Sequence, residues 1–88
     1  MDVIFLSGFQ KGLARSRDKI LAKIVLECIE RFEEAGKLED LSNIKKLKGH
    51  QSAYRYRKGK YRIGFYVEEG TITFAAFAFR DKIYRNFP

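Results

Sequence analysis

Hydrophobic residues in the first half of the chain follow the spacing of a strand and then of two helices. The run Val3-Ile4-Phe5-Leu6 is short and apolar, which fits a buried strand. Phe9 and Leu13 stand four residues apart, as on one face of a short helix. From about residue 17 to residue 35, apolar side chains recur with the helical period and charges occupy the other faces. This half therefore predicts a strand and two helices, the second of them amphipathic.

The period of the pattern changes to two from Ala53 onward, after a mixed connector at 37–49 that we expect to contain a turn of helix. Alternating Tyr, Phe, Ile, Val and Thr side chains predict three strands, at 53–57, 60–67 and 71–79. Lys58-Gly59 and Glu69-Gly70 separate these strands, and a glycine in the second position suits a two-residue hairpin turn.

These elements predict one α+β domain that spans residues 1–88. An N-terminal strand and two helices, packed on one face of a mainly antiparallel four-stranded sheet, would follow the order β-α-α-β-β-β.

Counting outward from the two turns assigns side chains to the two faces of the sheet. Arg57 would pair with Lys60, and Arg55 with Arg62. The face under the helices would carry Tyr54, Tyr56, Tyr61, Ile63, Phe65, Val67, Ile72, Phe74, Ala76 and Ala78. The opposite face would carry Arg55, Arg57, Lys60 and Arg62, with Phe77 and Phe79 beside them.

The cations of that open face are the strongest functional signal in the sequence. Like charges directly across a strand pair are unfavourable by about 0.2–1 kcal/mol each, and a bound polyanion would relieve the repulsion. The alternative is that the long side chains splay into water at little cost. Phe77 and Phe79 favour a covered face, either stacked on bases or, as the better explanation, buried by a partner protein. Arg80 falls on the core side by strict alternation, so a bulge or the strand end must turn it outward.

Composition and charge narrow the possible functions. The 88 residues hold 18 Lys+Arg against 11 Asp+Glu, for a formal net charge of +7. Residues 44–88 contain 11 of the basic and 3 of the acidic side chains, which indicates a localised basic surface. An apolar content of 45% excludes a disordered tail. No apolar run is long enough to span a membrane and no signal peptide opens the chain, so we expect a soluble cytoplasmic protein.

Other catalytic and metal sites find no support in the sequence. Cys28 is the single cysteine and lies in the apolar stripe of the second helix, so we expect a buried structural thiol. His50 is the single histidine, which leaves no Ser/His/Asp or Cys/His arrangement and no cluster with metal-ligand spacing. We expect neither a metal nor a cofactor.

Three segments resemble the RelE/ParE superfamily, the small toxins of type II toxin–antitoxin modules. They are Ile44-Lys45-Lys46-Leu47-Lys48-Gly49, the hairpin from Tyr54 to Ile63 that reads YRYRKGKYRI, and Phe79-Arg80-Asp81-Lys82-Ile83-Tyr84. The resemblance implies a RelE/ParE-like fold, a cognate antitoxin as partner and no membrane association.

Similarity to RelE implies an endoribonuclease, an mRNA interferase that enters the ribosomal A site and inhibits translation. There the 2′-hydroxyl of the message attacks the adjacent phosphate, which requires cations around the phosphorane, a base and an acid. By position, the resemblance gives catalytic roles to Arg55, Arg57, Arg62, Arg80 and Tyr84. We also expect RNA contacts from Lys48, Lys58, Lys60 and Lys82, and contacts with a partner protein from Phe77 and Phe79.

The general base and acid stay open in this comparison. Arginine at positions 55 and 57 is a poorer base than lysine, and Phe79 stands where many relatives have histidine. Lys58, Lys60, His50 or Tyr84 are the alternatives, or cleavage rests on positioning and electrostatics. Two other functions also stay open: a ParE-like inhibitor of DNA gyrase without nuclease activity, and an inactive relic that binds only its antitoxin.

Overall fold

The computed structural model describes residues 1–85 and 87. Its helices and strands, in chain order, are β1 (Asp2–Phe5), α1 (Ser7–Ser16), α2 (Lys19–Glu34), β2 (Ile44–Lys46), β3 (Ala53–Lys58), β4 (Tyr61–Glu68) and β5 (Thr71–Phe79). Short 3₁₀ turns lie at Leu38–Asp40 and Ile83–Arg85. The predicted α+β arrangement is confirmed, including the turn of helix in the connector. Within the described part of the chain, no helix is long and apolar enough to cross a membrane.

The sheet has five strands rather than the four predicted. Its order is β1-β5-β4-β3-β2, with β1 parallel to β5 and the other neighbours antiparallel. The additional strand is β2, which lies in the segment that the sequence indicated as a connector. Three residues are too few for the alternation that marks a strand, and β2 exists because Lys45 and its neighbours pair with β3.

The first hairpin turns one residue later than predicted. Lys58 pairs with Tyr61, so Gly59 and Lys60 form the turn, and Gly59 takes the positive φ of 56° at its first position. Arg57 therefore pairs with Arg62 rather than with Lys60. The predicted pairing of Arg55 with Arg62 is likewise wrong, although the faces assigned to β3 and β4 are unaffected because the partners shift by two residues.

A bulge at Ala75 changes the faces of β5. Phe65 pairs with Phe74, whereas Gly64 pairs with Ala76, so Ala75 is an extra residue opposite β4. The bulge reverses the alternation beyond it, which turns Phe77 toward the helices. The placement of Phe77 beside the arginines is therefore wrong, as is the placement of Ala76 and Ala78 in the main core; these two alanines pack on the other face.

The main core lies between α2 and the sheet, as predicted. Phe32 of α2 is 2% exposed, and its ring lies edge-on to Tyr56 and Phe65 at centroid distances of 5.4 and 5.3 Å. Phe77 joins this core from the bulged part of β5, stacked on Tyr61 at 5.0 Å. Edge-to-face and offset aromatic pairs of this kind stabilise a small core beyond the area that they bury.

A smaller core occupies the other face of the sheet. The chain beyond β5 folds back there, so that Ile83 and Phe87 are buried against Leu47 and Ala53. Phe87 lies over Gly64, where an added Cβ would stand 2.4 Å from its ring. The glycine is thus required for this tail to lie flat on the sheet.

Helix α1 packs closely against the backbone of β5 through two glycines. A Cβ at Gly8 would lie 2.9 Å from the carbonyl oxygen of Ala75, and one at Gly12 would lie 2.1 Å from that of Phe77. Strand β1 pairs with β5 only as far as Phe74, so α1 covers the rest of that edge.

We expect Gly12→Ala to destabilise the protein by about 1–3 kcal/mol, because the new methyl group must displace the β5 backbone. The overlap outweighs the gain of about 1 kcal/mol that alanine brings to a helix interior. Urea unfolding measures the change. Gly36→Ala is the matched control, since its Cβ would be in ordinary contact at 3.7 Å from the Asp40 carboxylate. A Gly12→Ala variant as stable as the control variant would contradict this packing.

Candidate nucleic-acid interface

Arg62 lies at the centre of the open face and is held against the hairpin turn. Its Nη1 donates hydrogen bonds to the carbonyl oxygens of Gly59 at 2.7 Å and Tyr61 at 2.8 Å. The residue is 9% exposed although it carries a full charge. Because one nitrogen makes both bonds, and no described residue accepts a hydrogen bond from Nε or Nη2, these two donors can bind the two oxygens of a phosphate.

Three more arginines and a tyrosine surround Arg62. Burial lowers the pKa of the Arg62 guanidinium, and the positive charges of Arg55, Arg57 and Arg80 lower it further, whereas Tyr84 opposes the shift. Each of these four groups thus lies within electrostatic range of Arg62. The structure brings together the five residues that the resemblance to RelE assigned to catalysis, and we call Arg55, Arg57, Arg62, Arg80 and Tyr84, with Lys45, the arginine face.

Lys45 is the member of the arginine face that sequence reasoning missed. It pairs directly with Arg55 across β2 and β3, and its side chain therefore shares the face of Arg55. The sequence shows the positive charge of residues 44–46, but it does not reveal strand β2, which places Lys45 beside Arg55. The face consequently contains two like-charge cross-strand pairs, Lys45 with Arg55 and Arg57 with Arg62. The Nε of Arg55 is buried and finds no hydrogen-bond partner among the described residues.

Arg80 and Tyr84 reach the arginine face by different routes. The bulge at Ala75 puts Arg80 on the opposite side of β5 from Phe79, and the backbone N–H of Arg80 donates to the carbonyl of Lys60 at 2.9 Å. The expectation that a bulge or the strand end turns Arg80 outward is thus met by the bulge. Tyr84 follows in the 3₁₀ turn and is 54% exposed, while its neighbour Ile83 is buried in the smaller core and fixes the turn in place.

The predicted RNA-contacting lysines do not gather at the arginine face. Lys60 lies in the hairpin turn, and Lys58 follows the alternation of Tyr56 toward the helix side. Lys48 is exposed in the loop after β2. Lys82 lies with its Nζ 6.0 Å from the ring centroid of Phe79. Their RNA-binding roles stay predictions.

The two phenylalanines predicted for a partner protein have different environments. Phe77 is 4% exposed and belongs to the main core, so it offers no contact surface and that assignment is wrong. Phe79 is 43% exposed, stacks on Tyr61 at 4.7 Å and lies on the helix side of the sheet rather than among the arginines. A role for Phe79 in partner binding stays a prediction.

Cys28 is buried, as expected, with its sulfur 3.5 Å from the hydroxyl of Tyr56. Burial raises the pKa of Tyr56 to about 12, with a further contribution from Cys28. This pair lies in the main core and on the opposite side of the sheet from the arginine face. Among residues 1–85 and 87, no group of three or more His, Cys, Asp or Glu side chains could hold a metal ion.

The chemistry available at the arginine face is that of cations and one phenol. Guanidinium groups keep their charge at any physiological pH and bind phosphate oxygens in pairs. Held in place before a ligand arrives, they can stabilise the charge that develops on a phosphorus centre in a transition state. The arrangement therefore suits phosphodiester binding and cleavage.

A comparison with known proteins identifies similar chains. No family model matches the sequence. A curated relative, Toxin RelE3 of Methanocaldococcus jannaschii, is 40% identical in an alignment of 89 positions that covers all of both chains.

Solved structures share the fold. In the crystal structure of the RelB–RelE antitoxin–toxin complex from Methanococcus jannaschii, a chain is 34% identical, with a TM-score of 0.79 over 97% of this chain and 99% of that one. In the toxin–antitoxin complex RelBE2 of Mycobacterium tuberculosis, a chain is 21% identical, with a TM-score of 0.69 over 90% and 96%. The latter similarity concerns the fold alone.

We expect Arg57→Gln to stabilise the protein by about 0.2–1 kcal/mol in low salt, because it removes the like-charge pair with Arg62. The gain should shrink as salt screens the pair. Urea unfolding at two ionic strengths measures both effects. Lys23→Gln on α2 is the control, since Lys23 stands four residues before Glu27 and its loss should be neutral or slightly destabilising. Equal effects of the two substitutions would contradict the repulsion.

Proposed function

This chain belongs to the RelE family and is the toxin of a type II toxin–antitoxin module, and we propose that it is a ribosome-dependent mRNA endoribonuclease. In the proposed reaction the 2′-hydroxyl of a message bound in the ribosomal A site attacks the adjacent phosphorus. The new bond is 2′-O–P and the bond that breaks is P–O5′. The upstream fragment keeps a 2′,3′-cyclic phosphate and the downstream fragment gains a 5′-hydroxyl.

The convergence of three arginines and Tyr84 on Arg62 is the observation that carries this proposal. The phosphorane formed by 2′-hydroxyl attack bears more negative charge than the phosphodiester, so preformed cations stabilise it more than the ground state. Arg62 has two backbone carbonyls that fix its guanidinium, which reduces the reorganisation needed when the charge develops.

Separate roles follow from the positions. The free Nε and Nη2 of Arg62, together with Arg80, bind the scissile phosphate, and Arg55 and Arg57 add positive charge. Tyr84, exposed beside Arg62, orients the nucleotide by contact with its base. Guanidinium groups cannot accept the proton of the 2′-hydroxyl at neutral pH. Lys45 and Tyr84 are the described members of this face that are not guanidinium groups, so the base is one of these or water.

A cognate antitoxin is the proposed partner of this toxin. The RelB–RelE complex supports this partner, because a chain of that antitoxin–toxin complex matches this chain over nearly its full length. The ribosomal target would require the protein to act in the cytoplasm. No observation on the arginine face favours gyrase as the target instead.

We expect induction of the wild-type chain in a bacterial host to arrest growth and to create new 5′ ends within the codons of messages. Primer extension maps these ends. Arg62→Ala should reduce their yield by about two to three orders of magnitude, as expected when a preorganised stabilising donor is lost. Lys23→Ala, which removes an exposed cation from α2, is the control and should cleave like the wild type.

Intact messages during growth arrest would overturn the nuclease proposal. In that case a supercoiling assay with purified gyrase would test the other candidate, and loss of supercoiling would assign the toxicity to DNA gyrase. Equal cleavage by the Arg62→Ala and wild-type proteins would show that the arginine face is not the catalytic site.

A further inference from the structure

A second basic region lies outside the arginine face, in a cleft between α1 and the end of β5. Two adjoining cavities of about 340 and 290 Å³ share Gly12, Arg15 and Lys82 in their walls. The first also contacts Phe79 and Arg85. We call this region the α1–β5 cleft.

The cleft exists because of how α1 packs. Gly12 brings the helix onto the backbone of β5, and the helix then ends at Ser16, beside the last residues of the strand. The chain after β5 turns back past the helix end with Lys82 and Arg85. Two segments that are remote in sequence, α1 and the chain after β5, thus place four cations around the two cavities: Lys11, Arg15, Lys82 and Arg85.

The walls of the cleft are positively charged and partly aromatic. Arg15, Lys82 and Arg85 are all exposed, and none of the described residues that line either cavity is acidic. The helix end itself contributes partial negative charge from its last carbonyls, so attraction for an anion must come from the side chains. Phe79 adds a flat apolar surface, 43% exposed, beneath the Lys82 ammonium group.

The cleft and the arginine face meet at the end of β5. Phe79 and Arg80 are consecutive residues whose Cα atoms are about 3.8 Å apart, and they point to opposite sides of the strand. The backbone of Arg80 is bonded to Lys60 in the hairpin turn, so the end of β5 lies beside the turn that holds Arg62. An extended ligand that crosses the end of β5 can therefore contact both the α1–β5 cleft and the arginine face.

We propose that the α1–β5 cleft binds single-stranded RNA adjacent to the phosphate held on the arginine face. Phosphates of the RNA contact Arg15, Lys82 and Arg85, and a base packs on Phe79. This assigns Phe79 to RNA rather than to the partner protein predicted from the sequence. The inference rests on the proposed function in that the RNA is the message being cleaved.

Charge complementarity selects RNA as the occupant. Several cations spaced around an open cleft, with an aromatic surface among them, are the elements of single-strand binding sites, in which phosphates follow a positive groove and bases stack. The contribution of such cations appears in the salt dependence of binding, because each phosphate contact releases counterions.

The test measures binding of the whole chain to a fluorescent single-stranded RNA by anisotropy at several salt concentrations. Every ribose of the probe carries a 2′-O-methyl group, which removes the nucleophile, so the RNA is bound without cleavage. The cleft variant is Arg15→Gln/Arg85→Gln and the control is Lys19→Gln/Lys23→Gln on α2. Each lowers the formal net charge from +7 to +5. Thermal unfolding verifies that both variants are folded.

We expect the cleft variant to bind more weakly than the wild type. The slope of log K against log salt should fall in magnitude by about 1.4, since each contact to single-stranded nucleic acid contributes about 0.7. The control should keep the wild-type slope. Phe79→Leu should weaken binding and leave the slope unchanged, because it removes an aromatic surface and no charge.

Absence of RNA binding by the wild type would overturn the proposal, and so would a salt slope for the cleft variant equal to that of the control. A third contrary result would be that the cleft substitutions weaken binding of a polyglutamate peptide but not binding of the RNA. The last result would assign the cleft to an acidic protein. The binding assay contains no ribosome, and its RNA lacks the 2′-hydroxyl needed for cleavage. The result of the binding assay is therefore independent of whether the protein cleaves messages in cells.

Discussion

One extra residue in β5 determines how the two faces of this sheet are used. Without the bulge at Ala75, strict alternation would put Phe77 and Phe79 among the arginines and Arg80 under the helices. With the bulge, Phe77 fills the main core beside Phe9 and Tyr61, while Arg80 joins the arginine face. The contact of Gly8 with the carbonyl of Ala75 lies at the bulge itself, so α1 and the bulge depend on each other.

The arginine face is costly to the isolated fold and is held by specific contacts. Two cross-strand pairs of like charge oppose folding, and the pKa of Arg62 is lowered by its surroundings, so its charged form is less favourable there than in water. Hydrogen bonds to the hairpin carbonyls and the smaller core around Ile83 and Phe87 offset this cost. A bound polyanion would make the electrostatic contribution of the arginine face to stability favourable. The charge pattern is therefore consistent with the proposed binding of RNA. The arginine face thus lowers the stability of the free protein, and the same charges are the ones that RNA binding requires.

Much of this arrangement could be predicted because local patterns were strong. Period-two alternation assigned the faces of β3 and β4, and the paired glycine turns located both hairpins, so Arg55, Arg57 and Arg62 were placed on one face. The register of the first hairpin was wrong because a Lys-Gly-Lys sequence allows the glycine to take either turn position. The bulge left no local signature, since Ala75 and Ala76 suit either face. Strand β2 is too short to be recognised, and Lys45 was therefore missed.

The central claim is that the arginine face catalyses attack by the 2′-hydroxyl of a message. The most direct measurement is mass spectrometry of the fragments that the purified chain produces from an mRNA bound to programmed ribosomes in vitro. We predict a 2′,3′-cyclic phosphate on the upstream fragment and a 5′-hydroxyl on the downstream fragment. An uncleaved message, or a fragment that ends in a 3′-hydroxyl, would contradict the account.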